Sequence, residues 1–262
     1  MALKLSLKSS LFLLSLVTSL VQADILNVAV ASNFTYTLRL LAQDFKSRTG
    51  HQLRISSAST GKLYTQIKNG APFDIFMAAD EDRPDRLITE GDATAEFARI
   101  YAIGKLVLLS NLEPDKICQD ILDNPKLKRL AIANPNTAPY GAAARQTLEK
   151  LRRWDSVQPR LVMGENIAQP LLFVSTGSAN AGFVAKSMLL QGTKINSTCQ
   201  WDIPAEMHSP INQKMVVLKK SFNKPASRAF WLYMNGAEAS AIIIKRGYDV
   251  VKMQTPYETI AR

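Results

Sequence analysis

Apolar and polar residues alternate in blocks along most of the chain, switching between a strand-like and a helix-like rhythm. Residues 25–31 (ILNVAVA) form a short β-rich run. It yields at Ser32-Asn33 to a helical pattern with Leu38, Leu41 and Phe45 on one face, which Gly50 ends. Residues 53–57 read as a second strand, and 60–68 as a helix stopped by Asn69-Gly70. Residues 74–79 (DIFMAA) read as a third strand, apolar enough that both of its faces should be covered. Right-handed β-α-β units on a parallel sheet are the natural product.

The middle of the chain repeats this logic. Residues 100–110 are a long strand-like stretch, 130–133 a strand, 135–139 a turn and 141–152 a helix. A short strand at 161–163 precedes Glu165-Asn166 and a helix over 167–176, and 181–185 is another apolar strand. A late strand at 215–218 leads into helices over 225–235 and 237–246, divided by Gly236. No internal repeat or low-complexity linker interrupts the order. It predicts an α/β fold of two lobes, with the chain crossing near residues 101–109 and returning near 210–218. The expected division is 24–104 with 210–262 as the first lobe and 105–209 as the second.

The first 23 residues change the picture of where the protein works. Lys4 and Lys8 form a positive start, residues 11–21 are mostly apolar, and Val21-Gln22-Ala23 offers small residues at −3 and −1 of a cut after Ala23. The apolar run is short for a bilayer, which needs about 20 residues, so a cleaved export signal is expected rather than an anchor. Its removal lowers the formal charge from +10 to +8, because it carries two lysines and no acid. The remaining cations are scattered, with short clusters at Arg152-Arg153 and Lys219-Lys220. That pattern excludes a dense nucleic-acid-binding helix and suits the drawing of small anions toward a cleft. Cys118 and Cys199 can pair in an oxidising compartment, but their spacing leaves open whether they do. Without a C-x-x-C motif, and with only His51 and His208 to assist, they do not make a zinc site.

Four strand-to-helix junctions carry the candidate chemistry: Ala31-Ser32-Asn33, Ser57-Ala58-Ser59-Thr60-Gly61, Ala138-Pro139-Tyr140-Gly141 and Gly164-Glu165-Asn166-Ile167. Each sets hydroxyls, amides or unpaired backbone N–H groups at a helix start, where the partial positive charge suits an anion. In open α/β sheets such junctions gather beyond the carboxyl ends of the strands, where ligands bind. Any one of them alone reads as an ordinary N-cap. Their recurrence in a chain with an export signal points to a periplasmic binding protein for a small polar ligand.

The stretches NVAVASNFTYTLRLLAQDFKSRTG and ISSASTGKLYTQIKNGAPFDIFMAADEDRPDRL resemble the first lobe of the periplasmic molybdate-binding proteins of ABC transporters, which have the type II two-lobed binding-protein fold. ANPNTAPYGAAARQTLEKLRRWD and GENIAQPLLFVSTGSANAGFVAKS resemble that family's second-lobe elements, so the likeness runs from about Ile25 to Val250. The resemblance implies a ligand held in the inter-lobe cleft by Ser32 and Asn33, by Ser59 or Thr60, by Tyr140 and by the main chain of Ile167. Some family members add a tyrosine from a later strand; Ala185 stands near that position, and the Tyr140 phenol is expected to replace it. The implied ligand is molybdate or tungstate, bound as an oxyanion with no cofactor and no metal cation. The implied partner is a membrane permease, and a monomer that binds no nucleic acid is expected in the periplasm.

Other chemistries were open to these residues. A sulfate or thiosulfate carrier would need the same donors. Ser59-Thr60-Gly61-Lys62 matches S-x-x-K of serine acyl-enzymes, with Ser59 as nucleophile and Lys62 beside it, but no S-D-N or K-T-G follows. Asp80-Glu81-Asp82 at a helix start is expected to complement the helix dipole rather than bind a cation. Trp154, Trp201 and Trp231 are expected in the core or at an interface.

Overall fold

The computed structural model describes residues 23–192, 195 and 197–251. Apart from Ala23, the segment read as an export signal lies outside the described residues.

Period-two burial builds the strands. In β1 (Ile25–Ala31), Leu26, Val28 and Val30 enter one core and Ala29 enters another on the opposite face. α1 (Thr35–Thr49) buries Leu38, Leu41 and Phe45. It ends at Gly50, whose φ of 76° lets its N–H reach the Lys46 carbonyl at 2.9 Å. There follow β2 (Gln52–Ala58), α2 (Thr60–Lys68), β3 (Ile75–Met77), α3 (Asp82–Thr89) and β4 (Ala93–Gly104). The chain then passes to β5 (Leu106–Ser110), β6 (Leu130–Ala133), α4 (Pro139–Lys150), α5 (Trp154–Val157) and β7 (Leu161–Gly164). α6 (Ala168–Ser175), β8 (Ala181–Ala185), α7 (Lys186–Leu189) and β9 (Cys199–Asp202) complete that part. β10 (Ile211–Leu218) returns, followed by α8 (Pro225–Met234) and α9 (Ala237–Lys245).

Two five-stranded sheets result, in the orders β2-β1-β3-β10-β4 and β7-β6-β8-β5-β9. In each, the first three strands are parallel and the remaining two antiparallel to their neighbours. Helices cover both faces, so the central strands read as nearly unbroken apolar runs. This is the two-lobed α/β fold. The stretch 100–110, read as one strand, is two: β4 stops at Gly104 in the first sheet and β5 starts at Leu106 in the second. β9 escaped the sequence reading because it is a short, half-exposed edge strand with little apolar signal. The strand expected at 215–218 begins earlier, at Ile211.

Cys118 and Cys199 form a disulfide with Cα atoms 5.5 Å apart, joining the segment after β5 to edge strand β9. It closes a loop of 81 residues, for which chain-entropy arguments give a stabilisation of roughly 4 kcal/mol.

A buried carboxylate pins the C-terminal elements to the first sheet. Asp74 is 2% exposed. Its oxygens accept the Asn27 N–H at 2.7 Å, the Ser221 hydroxyl at 2.5 Å and the Lys224 ammonium at 2.6 Å. Burial pushes this carboxyl up, but the bonds from Lys224, Ser221 and Asn27 outweigh it and hold it below its ordinary value. A depressed carboxylate contributes stability above its unfolded value of about 3.9 and loses it as the pH falls through the folded value. Asp74→Ala should therefore cost about 2–3 kcal/mol in urea melts at pH 7. The gap from the wild type should narrow as the pH falls below about 4, which parallel melts at pH 7 and pH 3 would check.

Candidate functional site

Register places the junctions. Ala31 and Ala58 are partners in the parallel β1–β2 ladder, so Ser32-Asn33 and Ser59-Thr60 emerge side by side at the carboxyl ends of those strands. Ala133 and Gly164 are partners in β6–β7, which brings the loops leading to Tyr140 and Ile167 together on the other lobe. Where the lobes meet, Ser32, Asn33, Ser59, Thr60, Tyr140 and Ile167 wall one cavity of about 10 Å³, with Ala31, Ala79, Ala138 and Pro139 filling the remainder. That volume is close to a single water-sized probe. Its described lining contains no charged side chain. A 3-10 turn starts at Ser32, α2 at Thr60 and α4 at Pro139, and Ile167 immediately precedes α6. Four helix starts thus bring their unpaired N–H groups and partial positive charge to one point.

The hydroxyls are not serving as caps. The Ser32 hydroxyl is buried with no hydrogen-bond partner among the described residues. Ser59 occupies the N-cap position of α2, yet its side chain makes no cap bond. Thr60 Oγ1 accepts the Ala79 N–H at 3.1 Å and keeps its own proton to donate. Before α6 it is Asn166, accepting the Ala168 N–H at 2.9 Å, that does the capping. Ala185 is fully buried at the end of β8.

Asn33 and Tyr140 point part of their polarity beneath the cavity. Asn33 Nδ2 donates to Gln213 Oε1 at 2.8 Å and to Tyr248 Oη at 3.1 Å, which uses both of its protons. The Tyr248 hydroxyl returns to the Asn33 carbonyl at 2.8 Å. Tyr140 Oη accepts from Gln213 Nε2 at 3.2 Å. Burial pushes the Tyr101, Tyr140 and Tyr248 phenols well above their ordinary value, so all three stay protonated. Gln213, Tyr101 and Tyr248 were not singled out from the sequence. A glutamine at an inward-facing position of β10, between buried Ile211 and Met215, was the available signal.

The lobes also touch at residues adjoining the cavity wall. Gly61 N donates to the Thr137 carbonyl at 2.9 Å, and Arg83 Nη2 donates to the Asn136 carbonyl at 3.0 Å while paired with Asp80. Asp80 therefore anchors a latch rather than a cation site, and Asp82 and Asp85 occupy the first turn of α3. Lys62 reaches across to Glu165 at 3.5 Å, with both side chains more than half exposed. His51 Nδ1 accepts the Asp24 N–H. Trp154 lies under Arg145, and Trp231 packs edge-on against Phe97. A Cβ on Gly61 would lie 3.2 Å from the Thr137 main chain and 3.3 Å from Arg83. Gly61→Val should therefore hold the lobes apart, leaving the melting temperature of the unliganded protein within about 2 °C, a shift of at most about 1 kcal/mol for a chain of this size. Small-angle scattering checks this: a larger radius of gyration with saturating ligand than the wild type shows is expected.

The model of the bacterial extracellular solute-binding protein family matches residues 26–249. The molybdate-binding protein ModA of Azotobacter vinelandii is 42% identical over 231 residues, covering 87% of this chain and 91% of the relative. ModA of Rhodobacter capsulatus is 38% identical over 221 residues, covering 84% and 86%. The solved periplasmic molybdate-binding protein of Azotobacter vinelandii superposes with a TM-score of 0.81 at 38% identity, over 87% of this chain and all of that one. The chain therefore belongs to the bacterial extracellular solute-binding proteins, in the group that holds these molybdate-binding proteins.

Proposed function

We propose that this protein captures molybdate or tungstate in the periplasm and delivers it to the membrane permease of an ABC importer. The observation that carries the reading is the inter-lobe cavity walled by hydroxyls and helix starts, with no charged side chain in its described lining. A fully ionised tetrahedral dianion accepts hydrogen bonds on four oxygens and donates none, which matches such a wall. A protonated phosphate would need an acceptor for its O–H. Neutral donors also avoid competing with the hydration of a lysine or arginine. Ser32, Asn33, Ser59, Thr60, Tyr140 and Ile167 form the ligand set in this reading. Ser32 and Thr60 give hydroxyl protons, and the residues at the helix starts give main-chain N–H groups.

Residues 24–104 with 210–262 and residues 105–209 act as the two bodies that close over the ion, after export and cleavage following Ala23. The protein works as a binding protein, not an enzyme: Lys62 is exposed and engaged with Glu165 rather than set against Ser59, which leaves an acyl-enzyme mechanism without its base. No described helix is long and apolar enough to cross a membrane.

A thermal-shift series with molybdate, tungstate, sulfate, thiosulfate and phosphate tests the assignment. Ligand at a hundred times its Kd should stabilise by about 2.7 kcal/mol. Stabilisation by the first two anions is expected, and a response to sulfate or thiosulfate alone would move the assignment to those ligands. A flat response to all five, or covalent labelling of Ser59 by a fluorophosphonate or β-lactam probe, would overturn it. Ser32→Ala should weaken molybdate binding by about 1–3 kcal/mol in calorimetric titration, and unchanged affinity would remove Ser32 from the site.

A further inference from the structure

Under the cavity, one buried side chain touches both halves of its wall. Gln213 is fully buried on β10 and faces Ala102 of β4, close to the point where the chain leaves the first lobe at Gly104. Its Oε1 accepts from Asn33 Nδ2 at 2.8 Å and shares the proton of the Tyr101 hydroxyl at 3.1 Å. Its Nε2 donates to Tyr140 Oη at 3.2 Å. Asn33 adjoins Ser32 in the first lobe's loop, whereas Tyr140 lies in the first turn of α4 in the second lobe. The phenol also rests on the crossing itself, since a Cβ on Gly104 would lie 2.2 Å from Tyr140 Oη.

We propose that Gln213 is the positioning residue that holds the two lobes closed around the anion, a reading that rests on the oxyanion-binding function above. Its amide makes a first-lobe bond with one atom and a second-lobe bond with the other. Tyr140 moves with the second lobe, so opening strips Gln213 Nε2 of its partner at a site away from water. A bond made only in the closed state raises that state's population and slows release of the ion. Gln213 touches the loops and not the ligand, so its effect falls on the dissociation rate more than on encounter.

The test uses the mature chain with molybdate as probe, reading Kd by calorimetry and the dissociation rate by stopped flow. Gln213→Leu is expected to raise Kd by about tenfold or more, as for a buried group left unpaired, with faster dissociation carrying most of the change. Tyr140→Phe should lose affinity as well, and the double variant should be no weaker than the weaker single, because the two residues are ends of one bond. A wild-type dissociation rate in Gln213→Leu, or losses that multiply in the double variant, would overturn the proposal. A lower melting temperature without ligand at unchanged Kd marks a merely structural residue and also overturns it. If Gln213→Leu does not fold, Tyr140→Phe alone removes the oxygen that Gln213 Nε2 reaches and leaves the Asn33 and Tyr101 bonds to Gln213 in place. The same loss is expected there, and wild-type affinity would overturn the proposal. A wild-type protein that ignores molybdate overturns the functional reading itself, which separates that failure from a failure of Gln213.

Discussion

A doubly charged ion taken out of water needs a hydrogen bond or a dipole at each oxygen, and no single loop can surround it. The convergence of helix starts on one small cavity answers that demand, and the rest of the architecture makes it happen. Parallel pairing puts strand ends at a common level, so Ala31 beside Ala58 and Ala133 beside Gly164 bring two loops together on each lobe. A slip of one residue in either ladder would turn every strand side chain to the opposite face and carry the loops out of reach. The buried strands β1 and β6 guard against such slips, since their side chains pack into cores on both faces. Core packing and ligand geometry are thus set by one register.

The second layer is polar and buried. Ser32 Oγ and Asn33 Oδ1 are enclosed without partners among the described residues, and each such group costs about 1–3 kcal/mol. The Ser32 hydroxyl therefore has a proton that no described residue accepts, and an anion's oxygen can accept it. Around it, Tyr101, Tyr248 and Gln213 are bonded to one another's neighbours, and this holds the Asn33 loop in a single shape. Affinity and closure are coupled through those few atoms rather than through a strong cation.

Much of this was legible from the sequence. The β-rich run before Ser32, the Leu38-Leu41-Phe45 face and its Gly50 stop follow from periodicity, and the structure forms them. The four junctions were visible because each combines a strand end with a helix start, and all four reach one cavity. The split between β4 and β5 had only a faint signal: Gly104-Lys105 is a two-residue interruption in an otherwise apolar run, and the sheet assignments of the flanking strands divide it there. The direction of the Tyr140 phenol was equally hidden, since its neighbour Gln213 lies 73 residues away in sequence. The disulfide became visible only when β5 and β9 were paired, which brings Cys199 opposite Ser110 and within reach of Cys118.

The contact between Gly61 N and the Thr137 carbonyl joins main chain to main chain, at 2.9 Å and with no flexible side chain between. It acts as a hard stop for the two lobes. For the oxyanion carrier proposed above, the radius of the ion would set how close the jaws come to that stop. Rigid backbone would then gauge the ion's radius, and dipoles its charge. Two tetrahedral dianions of like charge would be told apart at a point that touches neither of them.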